Sequence, residues 1–232
     1  MGIRQFRYSS DNLGYLVYGN ATALAIDGGA GRAILDFVET HGLQLKYVTN
    51  THKHPDHTAG TGDLVKLSGA EYLSREMLLN AGQVVIDDLS VEVIDTPGHT
   101  DDSLSFSVAP CLITGDTLFN GTVGNCFSGD LKAFYESVKK LLAYPAATRV
   151  YAGHDYVSYA MAFAKIVEPD NAAIDAYLKK YDNAHIYSTL ADELEVNPYL
   201  RFNADPIIAL LKKRGFPVAT EYERWLGVMS LE

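Results

Sequence analysis

The amino-acid sequence predicts an α/β fold in which helices cover the outside of β-sheets, followed by a small helical appendage. Up to about residue 168, short apolar runs typical of strands alternate with segments of helical periodicity. After Pro169 the periodicity is helical, and no further strand is expected. We therefore predict two domains, residues 1–168 and residues 169–232.

The first third of the chain alternates between strand and helix patterns. The turn signal Asp27-Gly28-Gly29 separates the third predicted strand from the first predicted helix. The fourth strand ends near Thr51, and the following helix ends before Gly69. The predicted strands cover residues 3–8, 15–18, 21–26 and 46–51, and the predicted helices cover 30–42 and 61–67.

The rest of the chain first adds strands and then only helices. The run from Cys111 to Thr114 is largely apolar, which is typical of a buried strand, and Asp130 is suited to capping the next helix. Predicted strands cover 84–86, 91–96, 104–108, 111–114 and 148–152, and predicted helices cover 130–143, 156–167, 171–182, 188–195, 204–214 and 219–228.

Composition restricts the possible partners. Hydrophobic residues at 47% and charged residues at 21% are ordinary for a globular protein, and they exclude disordered and coiled-coil classes. The formal net charge of −10 argues against a nucleic-acid partner. No run approaches the roughly 20 apolar residues of a membrane span, so no membrane partner is expected. Two cysteines and the absence of a signal-peptide pattern predict a cytoplasmic location, while the oligomeric state stays open.

The segment from Thr51 to His57 is unusually rich in metal-binding side chains. It reads Thr-His-Lys-His-Pro-Asp-His and follows a predicted strand directly. Imidazole nitrogens and carboxylate oxygens are ligands that zinc, iron and manganese accept. His52 and His54 are spaced to reach one ion, whereas Asp56 and His57 turn towards a second.

Three further candidate metal ligands each follow a predicted strand: His99, Asp116 and His154. Together with the four in the segment from Thr51 to His57, these seven side chains are expected at one end of the scaffold. Seven donors are too many for one tetrahedral ion and predict two divalent ions, zinc or iron and possibly manganese. Asp116 is the natural bridge, since a carboxylate can bind two ions through separate oxygens. Such a centre is suited to hydrolysis. The predicted division is His52, His54 and His99 on one ion and Asp56, His57 and His154 on the other, with Asp116 between them.

The ordered motif HxHxDH, followed by the three later donors, resembles the metallo-β-lactamase superfamily. This resemblance implies an αβ/βα sandwich with two metals at one edge. Within the superfamily, the chain is similar to glyoxalase II, the hydroxyacylglutathione hydrolases, over most of its length. Four segments carry that similarity: Gly115-Asp116-Thr117-Leu118-Phe119, Gly153-His154-Asp155-Tyr156, Val167-Glu168-Pro169-Asp170-Asn171 and Asn197-Pro198-Tyr199-Leu200-Arg201.

The same resemblance implies a reaction. It is the metal-dependent hydrolysis of a small-molecule thioester such as S-lactoylglutathione, through a hydroxide held between two ions. The oxyanion would be stabilised by the ions, and the thiolate would leave without a strong general acid. Asp56 and Asp116 are the expected catalytic residues, and Asp56 is also expected to hold the nucleophile.

The expected substrate contacts depart from the family pattern. Tyr156 matches the tyrosine that follows the last metal-binding histidine. Glyoxalase II has a basic residue and a tyrosine in the loop after the bridging aspartate, where this chain has Asn125 and Phe127. A C-terminal basic pair is also not clearly matched. The basic residues near the C-terminus are Lys212, Lys213 and Arg214. They either approach a peptide carboxylate of the substrate or form a solvated helix face.

Other functions fit parts of the pattern. A persulfide dioxygenase of similar fold uses one iron held by two histidines and an aspartate, and a lactonase or β-lactamase has related ligands. RNA-processing members share HxHxDH, but the acidic balance disfavours them. A non-catalytic metal-binding module is the remaining alternative. The extended similarity after His154 favours the thioester hydrolase.

Overall fold

Two β-sheets form the centre of the computed structural model, which describes residues 2–231. Over these residues one sheet has the order β1-β2-β3-β4-β5 and the other β11-β10-β9-β8-β7-β6. The strands are β1 (Gly2–Tyr8), β2 (Asn12–Tyr18), β3 (Thr22–Ile26), β4 (Gln44–Thr49), β5 (Glu71–Tyr72), β6 (Gln83–Ile86), β7 (Leu89–Asp95), β8 (Leu104–Val108), β9 (Cys111–Gly115), β10 (Arg149–Ala152) and β11 (Ser188–Thr189).

The helices cover the outer faces of the sheets and form most of the C-terminal part. Between residues 2 and 231, no helix combines the length and the apolar character needed to cross a membrane. The helices are α1 (Gly31–Thr40), α2 (Pro55–Thr58), α3 (Thr61–Ser68), α4 (Arg75–Ala81), α5 (Leu131–Leu142), α6 (Val157–Val167), α7 (Ala172–Lys180), α8 (Leu190–Val196), α9 (Asp205–Lys213) and α10 (Glu221–Met229), with a 3-10 turn at Gly28–Ala30.

Strand alternation divides the hydrophobic core into layers. In β3, Leu24 and Ile26 join the core between the sheets, whereas Ala23 and Ala25 face α1 and α3 on the outside. In β9, Ile113 belongs to the inner core, whereas Leu112 belongs to the outer core on the other face of the sheet. The resulting order is helix, sheet, sheet, helix.

The C-terminal helices share the second outer core. Trp225 of α10 is fully buried, and its ring lies 5.8 Å from Phe134 of α5, with an interplanar angle of 86°. Leu112 of β9 and Val150 of β10 belong to the same cluster. The appendage is therefore packed directly on the strands that lead into the metal-binding residues.

Three local features differ from the sequence predictions. The C-terminal part does contain a strand, β11, which pairs antiparallel with β10. A strand of two residues has no side-chain alternation to reveal it, and it shortens the helix predicted over 188–195 at its start. The segment with Asp56 and His57 forms the one-turn helix α2 instead of an open loop. Ser74 caps α4, for which no prediction was made.

Candidate metal centre

Parallel strand pairs bring the predicted donors to one edge. β3 and β4 are parallel neighbours, and so are β9 and β10. Because the carboxyl ends of parallel neighbours lie at the same edge of a sheet, Asp116 after β9 and His154 after β10 emerge side by side. A hydrogen bond of 2.9 Å from Gly153 N to Gly115 O joins the two loops.

The remaining donors come from the other sheet and from the loop between β7 and β8. Loop 50–54 and α2 follow β4 and supply four of them. Leu104 N donates a hydrogen bond of 2.8 Å to Thr51 O, which links the start of β8 to the start of this loop. His99 lies in the loop that precedes Leu104 and thereby faces the β4 loop across the gap between the sheets.

The seven side chains predicted to bind metal assemble into two groups of donor atoms. Within each group, the candidate ligand atoms lie within 4.8 Å of one another. Most of these side chains are buried, so their polar atoms need partners. The first group is His52, His54, His99 and Asp116, and the second group is Asp56, His57 and His154.

The three imidazoles of the first group converge on one point. Nδ1 of His54 lies 3.0 Å from Nε2 of His52 and 3.1 Å from Nε2 of His99. In the second group, Nε2 of His57 lies 3.1 Å from Nε2 of His154. Each set of converging nitrogens is suited to one divalent ion.

Asp56 completes the second group. Its Oδ2 lies 3.2 Å from Nε2 of His154 and 3.6 Å from Nε2 of His57. Asn12 donates a hydrogen bond of 2.9 Å to the same oxygen and so fixes the direction of the carboxylate. Burial by itself would raise the pKa of Asp56, but this hydrogen bond and the charge of His57 outweigh burial and lower the pKa.

Asp116 lies between the two groups. Its Oδ1 is 3.3 Å from Nε2 of His57, whereas its Oδ2 is 3.5 Å from Nε2 of His99 and 3.4 Å from Nε2 of His154. Oδ1 is buried and accepts no well-aligned hydrogen bond, although His57 is close. A buried carboxylate oxygen without a hydrogen bond is costly, and a cation held between these donors would satisfy it.

Two glycines leave room around Asp116. A Cβ at Gly153 would lie 2.1 Å from Oδ1 of Asp116 and 2.9 Å from Cε1 of His57. A Cβ at Gly124 would lie 2.0 Å from the carbonyl oxygen of Asp116. A larger residue at position 153 would displace the central carboxylate, and one at position 124 would displace the backbone of Asp116, so both glycines are part of the site.

Comparisons with known proteins agree with this geometry. The family model described as "Metallo-beta-lactamase superfamily" matches residues 12–83 and 76–154, and "Hydroxyacylglutathione hydrolase C-terminus" matches residues 155–222. A hydroxyacylglutathione hydrolase of Pseudoalteromonas translucida is 32% identical over 228 residues, which cover 91% of this chain and 89% of that protein. The chain belongs to the hydroxyacylglutathione hydrolase family. A second relative of that name, from Anaeromyxobacter dehalogenans, is 34% identical over 225 residues, covering 89% of this chain and 88% of its own.

A solved structure shares the fold of this chain. The crystal structure of ETHE1 from Myxococcus xanthus has a TM-score of 0.67 at 25% sequence identity and covers 98% of this chain and 100% of its own. The predicted fold class and family are confirmed, and the chain is a hydrolase of the hydroxyacylglutathione hydrolase family.

In this family member, Asp27 orients one imidazole of each donor group. Asp27 is 1% exposed, and its Oδ2 lies 2.9 Å from Nδ1 of His57. The same oxygen accepts a hydrogen bond of 2.7 Å from Oγ1 of Thr51, which in turn lies 3.0 Å from Nδ1 of His52. With Nδ1 occupied, Nε2 of both rings is directed towards the centre.

Asp11 and a backbone carbonyl orient two further imidazoles. Oδ1 of Asp11 lies 2.9 Å from Nδ1 of His154, and the carbonyl oxygen of Asn125 lies 2.9 Å from Nδ1 of His99. Asp11, Asn12 and Asp27 contribute to the site although no sequence motif predicted them. Asp27 carried a detectable signal, because it ends a strand beside the metal-binding segment and precedes two glycines.

The two groups hold protons differently. Burial, followed by repulsion from His57, lowers the pKa of His52 to about 4. Burial alone would also lower the pKa of His57, but the carboxylates of Asp27 and Asp116 outweigh it and raise the pKa to about 11. The first group therefore presents a neutral imidazole at neutral pH, whereas the second must lose a proton before Nε2 of His57 can bind a metal.

The residues predicted to contact substrate lie on different sides of the donors. Tyr156 stacks on His154, with ring centroids 5.0 Å apart and an interplanar angle of 4°, and both Tyr156 and Asn125 line a cavity of about 690 Å³. Phe127 does not line this cavity. Its ring is 66% exposed and packs edge-on against His54 and His99, at 5.4 and 5.3 Å.

The C-terminal basic residues lie away from the cavity. The side chains of this cluster are exposed at the C-terminal end of α9 and just beyond it. None of them is among the described residues that line the cavity. The exposed positions agree with the solvated-face interpretation for Lys212, Lys213 and Arg214.

Proposed function

We propose that this chain hydrolyses a 2-hydroxyacyl thioester of the S-lactoylglutathione type at a two-metal centre. The observation that carries the proposal is the pair of donor groups on either side of Asp116. Relatives about 32% identical over nine-tenths of the chain are named hydroxyacylglutathione hydrolase, which supports the same substrate class.

We assign each donor group to one ion. Asp116 would contribute to both, because Oδ1 faces His57 of the second group and Oδ2 faces His99 of the first group as well as His154 of the second. Imidazole and carboxylate donors are compatible with zinc, iron or manganese, so the supply in the cell decides among them. The first ion is held by His52, His54 and His99, and the second by Asp56, His57 and His154.

The protein residues position the nucleophile and the substrate. Two divalent ions bound at this centre supply Lewis acidity and lower the pKa of water to roughly 7. Asp56 remains ionised at neutral pH, and its Oδ2, fixed by Asn12, can accept a hydrogen bond from the attacking water. Tyr156 is held flat against His154 and offers its hydroxyl to the thiol part of the substrate.

The division into domains at residues 168 and 169 remains a prediction. A cytoplasmic location also remains a prediction, and the free thiols of Cys111 and Cys126 agree with a reducing compartment.

Metal analysis and a thioester panel test the proposal together. We expect two metal ions per chain and hydrolysis of S-lactoylglutathione or another 2-hydroxyacyl thioester. Asp116→Ala should abolish hydrolysis and lower the metal content. The matched control is Asp63→Ala on the exposed side of α3, which should change neither.

Three results would contradict the proposal. Failure to hydrolyse any thioester with two metals bound would exclude thioester hydrolysis. One iron per chain with oxygen consumption on a persulfide would favour the dioxygenase alternative. A non-catalytic metal module predicts that Asp116→Ala strips metal and leaves biological activity intact.

A further inference from the structure

A fully buried carboxylate of the C-terminal part lies outside the two donor groups. Glu193 of α8 is 0% exposed. Burial raises the pKa of this carboxyl, and hydrogen bonds from backbone and side-chain donors act in the opposite direction. Burying a carboxylate costs free energy that an apolar side chain of similar size does not incur, so packing alone does not account for Glu193.

One oxygen of Glu193 holds segment 118–125, which follows the central aspartate. Oε2 accepts hydrogen bonds of 2.8 Å from Gly121 N and 2.9 Å from Nδ2 of Asn197. Nδ2 of Asn197 also donates a hydrogen bond of 3.1 Å to the carbonyl oxygen of Thr122. Backbone groups of two consecutive residues in the segment are therefore held from α8.

Gly121 lies near the tip of a tight turn within this segment. Leu118 and Val123 pair across the turn. The φ of Gly121 is 95°, in the left-handed region that favours glycine. Because Gly121 N donates to Glu193, the turn is anchored to α8 at its tip.

The other end of segment 118–125 contacts the first donor group. The carbonyl oxygen of Asn125 lies 2.9 Å from Nδ1 of His99. Gly124 packs so closely that a Cβ there would lie 2.9 Å from the same nitrogen. A displacement of the segment would therefore move the partner that orients His99.

The imidazoles of the second donor group are oriented from elsewhere. Asp27 lies 2.9 Å from Nδ1 of His57, and Asp11 lies 2.9 Å from Nδ1 of His154. Neither aspartate belongs to segment 118–125. A displacement of the segment should therefore weaken the first ion more than the second.

Segment 118–125 also forms one side of the cavity of about 690 Å³. Its last four residues line this cavity, whose volume is within the roughly 300–1,000 Å³ of typical small-molecule sites. They are Thr122, Val123, Gly124 and Asn125. A displacement of the segment should therefore change substrate binding as well as metal binding.

We propose that Glu193 is a positioning residue of the metal centre. It holds segment 118–125 through Gly121 and Asn197, and the segment in turn orients His99 and forms one side of the cavity. This role rests on the two-metal thioester hydrolysis proposed above. It gives the C-terminal part a function in metal binding as well as in packing.

The second oxygen of Glu193 has a partner outside the segment. Oε1 accepts a hydrogen bond of 2.9 Å from the hydroxyl of Tyr177, which joins α7 to α8. Tyr177→Phe removes this bond and leaves the contacts of Oε2 in place. The variant therefore separates a loss of stability from a displacement of segment 118–125.

Two replacements at position 193 test the role of the acceptor. Glu193→Met keeps the length of the side chain and removes both oxygens, which leaves Gly121 N and Nδ2 of Asn197 without this acceptor. Glu193→Gln retains one oxygen for these donors, and its amide nitrogen can donate to the hydroxyl of Tyr177. The matched control is Glu195→Met, two residues further along α8 and exposed.

Amide hydrogen exchange measures the segment in the absence of metal and substrate. In chelator-treated protein, the amides of residues 118–125 should exchange at least about tenfold faster in Glu193→Met than in wild type. The amides of β3 and β4 should exchange at the wild-type rate. Glu193→Gln should stay within about threefold of wild type throughout.

Zn²⁺ affinity and kinetics separate a positioning role from a purely structural one. Competition with a calibrated chelator should show about 10-fold weaker binding of the first ion in Glu193→Met, with the second within about threefold of wild type. At saturating Zn²⁺, the KM for S-lactoylglutathione should rise about threefold to tenfold, with a smaller change in kcat. Tyr177→Phe and Glu195→Met should leave both affinities and KM unchanged, although Tyr177→Phe should lower the Tm.

A loss of stability alone would overturn the positioning role. That outcome is a lower Tm for Glu193→Met with both Zn²⁺ affinities and KM within about twofold of wild type. If Glu193→Met does not fold, Gly121→Ala decides, because its Cβ would lie 2.4 Å from Cε of Met161 and a φ of 95° disfavours alanine. Unchanged first-ion affinity and KM in Gly121→Ala would then overturn the role.

The positioning role and the proposed function fail separately. Thioester turnover by the wild type, with wild-type first-ion affinity and KM in Glu193→Met, overturns only the positioning role. Absence of thioester turnover in the wild type overturns the proposed function, and the exchange and Zn²⁺ measurements still decide whether Glu193 positions the segment.

Discussion

Replacing Asp27 by asparagine is expected to weaken metal binding at both donor groups. Asp27 touches no candidate ligand atom directly, but it holds His57 through Nδ1 and His52 through the hydroxyl of Thr51. The residue has φ 58° and ψ 73°, a left-handed conformation that asparagine also tolerates. The substitution therefore tests the hydrogen bonds and the charge without adding backbone strain.

The expected magnitude follows from the bonds that asparagine cannot make. Where Asp27 Oδ2 accepts from Thr51 Oγ1 and His57 Nδ1, an amide nitrogen can only donate. Loss of two hydrogen bonds to a charged acceptor costs about 3 kcal/mol of stability. For a chain of this size, that lowers the Tm by roughly 6–12 °C. Loss of an orienting partner lowers metal affinity about 10- to 100-fold, or about 1.4–2.7 kcal/mol.

Competition with a calibrated chelator measures both metal affinities, and thermal unfolding of chelator-treated protein measures stability. Asp36→Asn is the matched control, since Asp36 is exposed on α1 and pairs only with Arg32 at the surface, at 3.0 Å. Asp11→Asn is a second comparison, because Asp11 contacts His154 alone among the donors and should weaken only the second ion. Affinities for both ions within about twofold of wild type in Asp27→Asn would refute the orienting role.

Three other changes have defined outcomes. Gly153→Ala places a Cβ 2.1 Å from Oδ1 of Asp116 and should lower kcat at least about 100-fold. Gly62→Ala has open space around its Cβ and should leave kcat unchanged. Equal activities of the two variants would contradict the clash at Asp116. Because the pKa of His57 is raised to about 11, metal loading near pH 7.5 should release about one proton from it, and the apparent metal affinity should rise with pH. Calorimetry in buffers of different protonation enthalpy measures the number of protons released. Absence of proton release would contradict a protonated His57 in the metal-free protein. Trp225→Ala should lower the free energy of unfolding in urea by about 3–5 kcal/mol. Unfolding should remain a single transition, because the C-terminal helices share their core with α5. Two separate transitions would show independent domains.

The seven donors could be predicted because they follow a rule that sequence expresses directly. Each lies just past a strand-like run, and parallel strands bring their carboxyl ends to one edge. A histidine or aspartate directly after a predicted strand can therefore be recognised from the sequence as a candidate metal ligand. Their assembly into two groups then follows from topology, which alternation of strands and helices already indicates.

The orienting residues were harder to predict because their role depends on distance alone. Asp27 belongs to an ordinary turn signal, and Asp11 and Asn12 precede or begin a strand without any motif. Their contacts to His57, His154 and Asp56 join positions 30 to 143 residues apart. The two-residue strand β11 was missed for a related reason, since backbone pairing with β10 defines it and side-chain pattern does not.

The loop after β9 contacts an imidazole through its backbone and lines the neighbouring cavity with a side chain. Asn125 orients His99 through its backbone carbonyl, and Phe127 N donates a hydrogen bond of 2.9 Å to the carbonyl of His99. Any residue at position 125, and any residue except proline at position 127, can supply these backbone groups, so the imidazole does not depend on the side chains of the loop for these contacts. The side chain of Asn125 is then free to define the cavity wall. A substitution at position 125 can therefore change the cavity wall while the backbone carbonyl keeps its contact with His99.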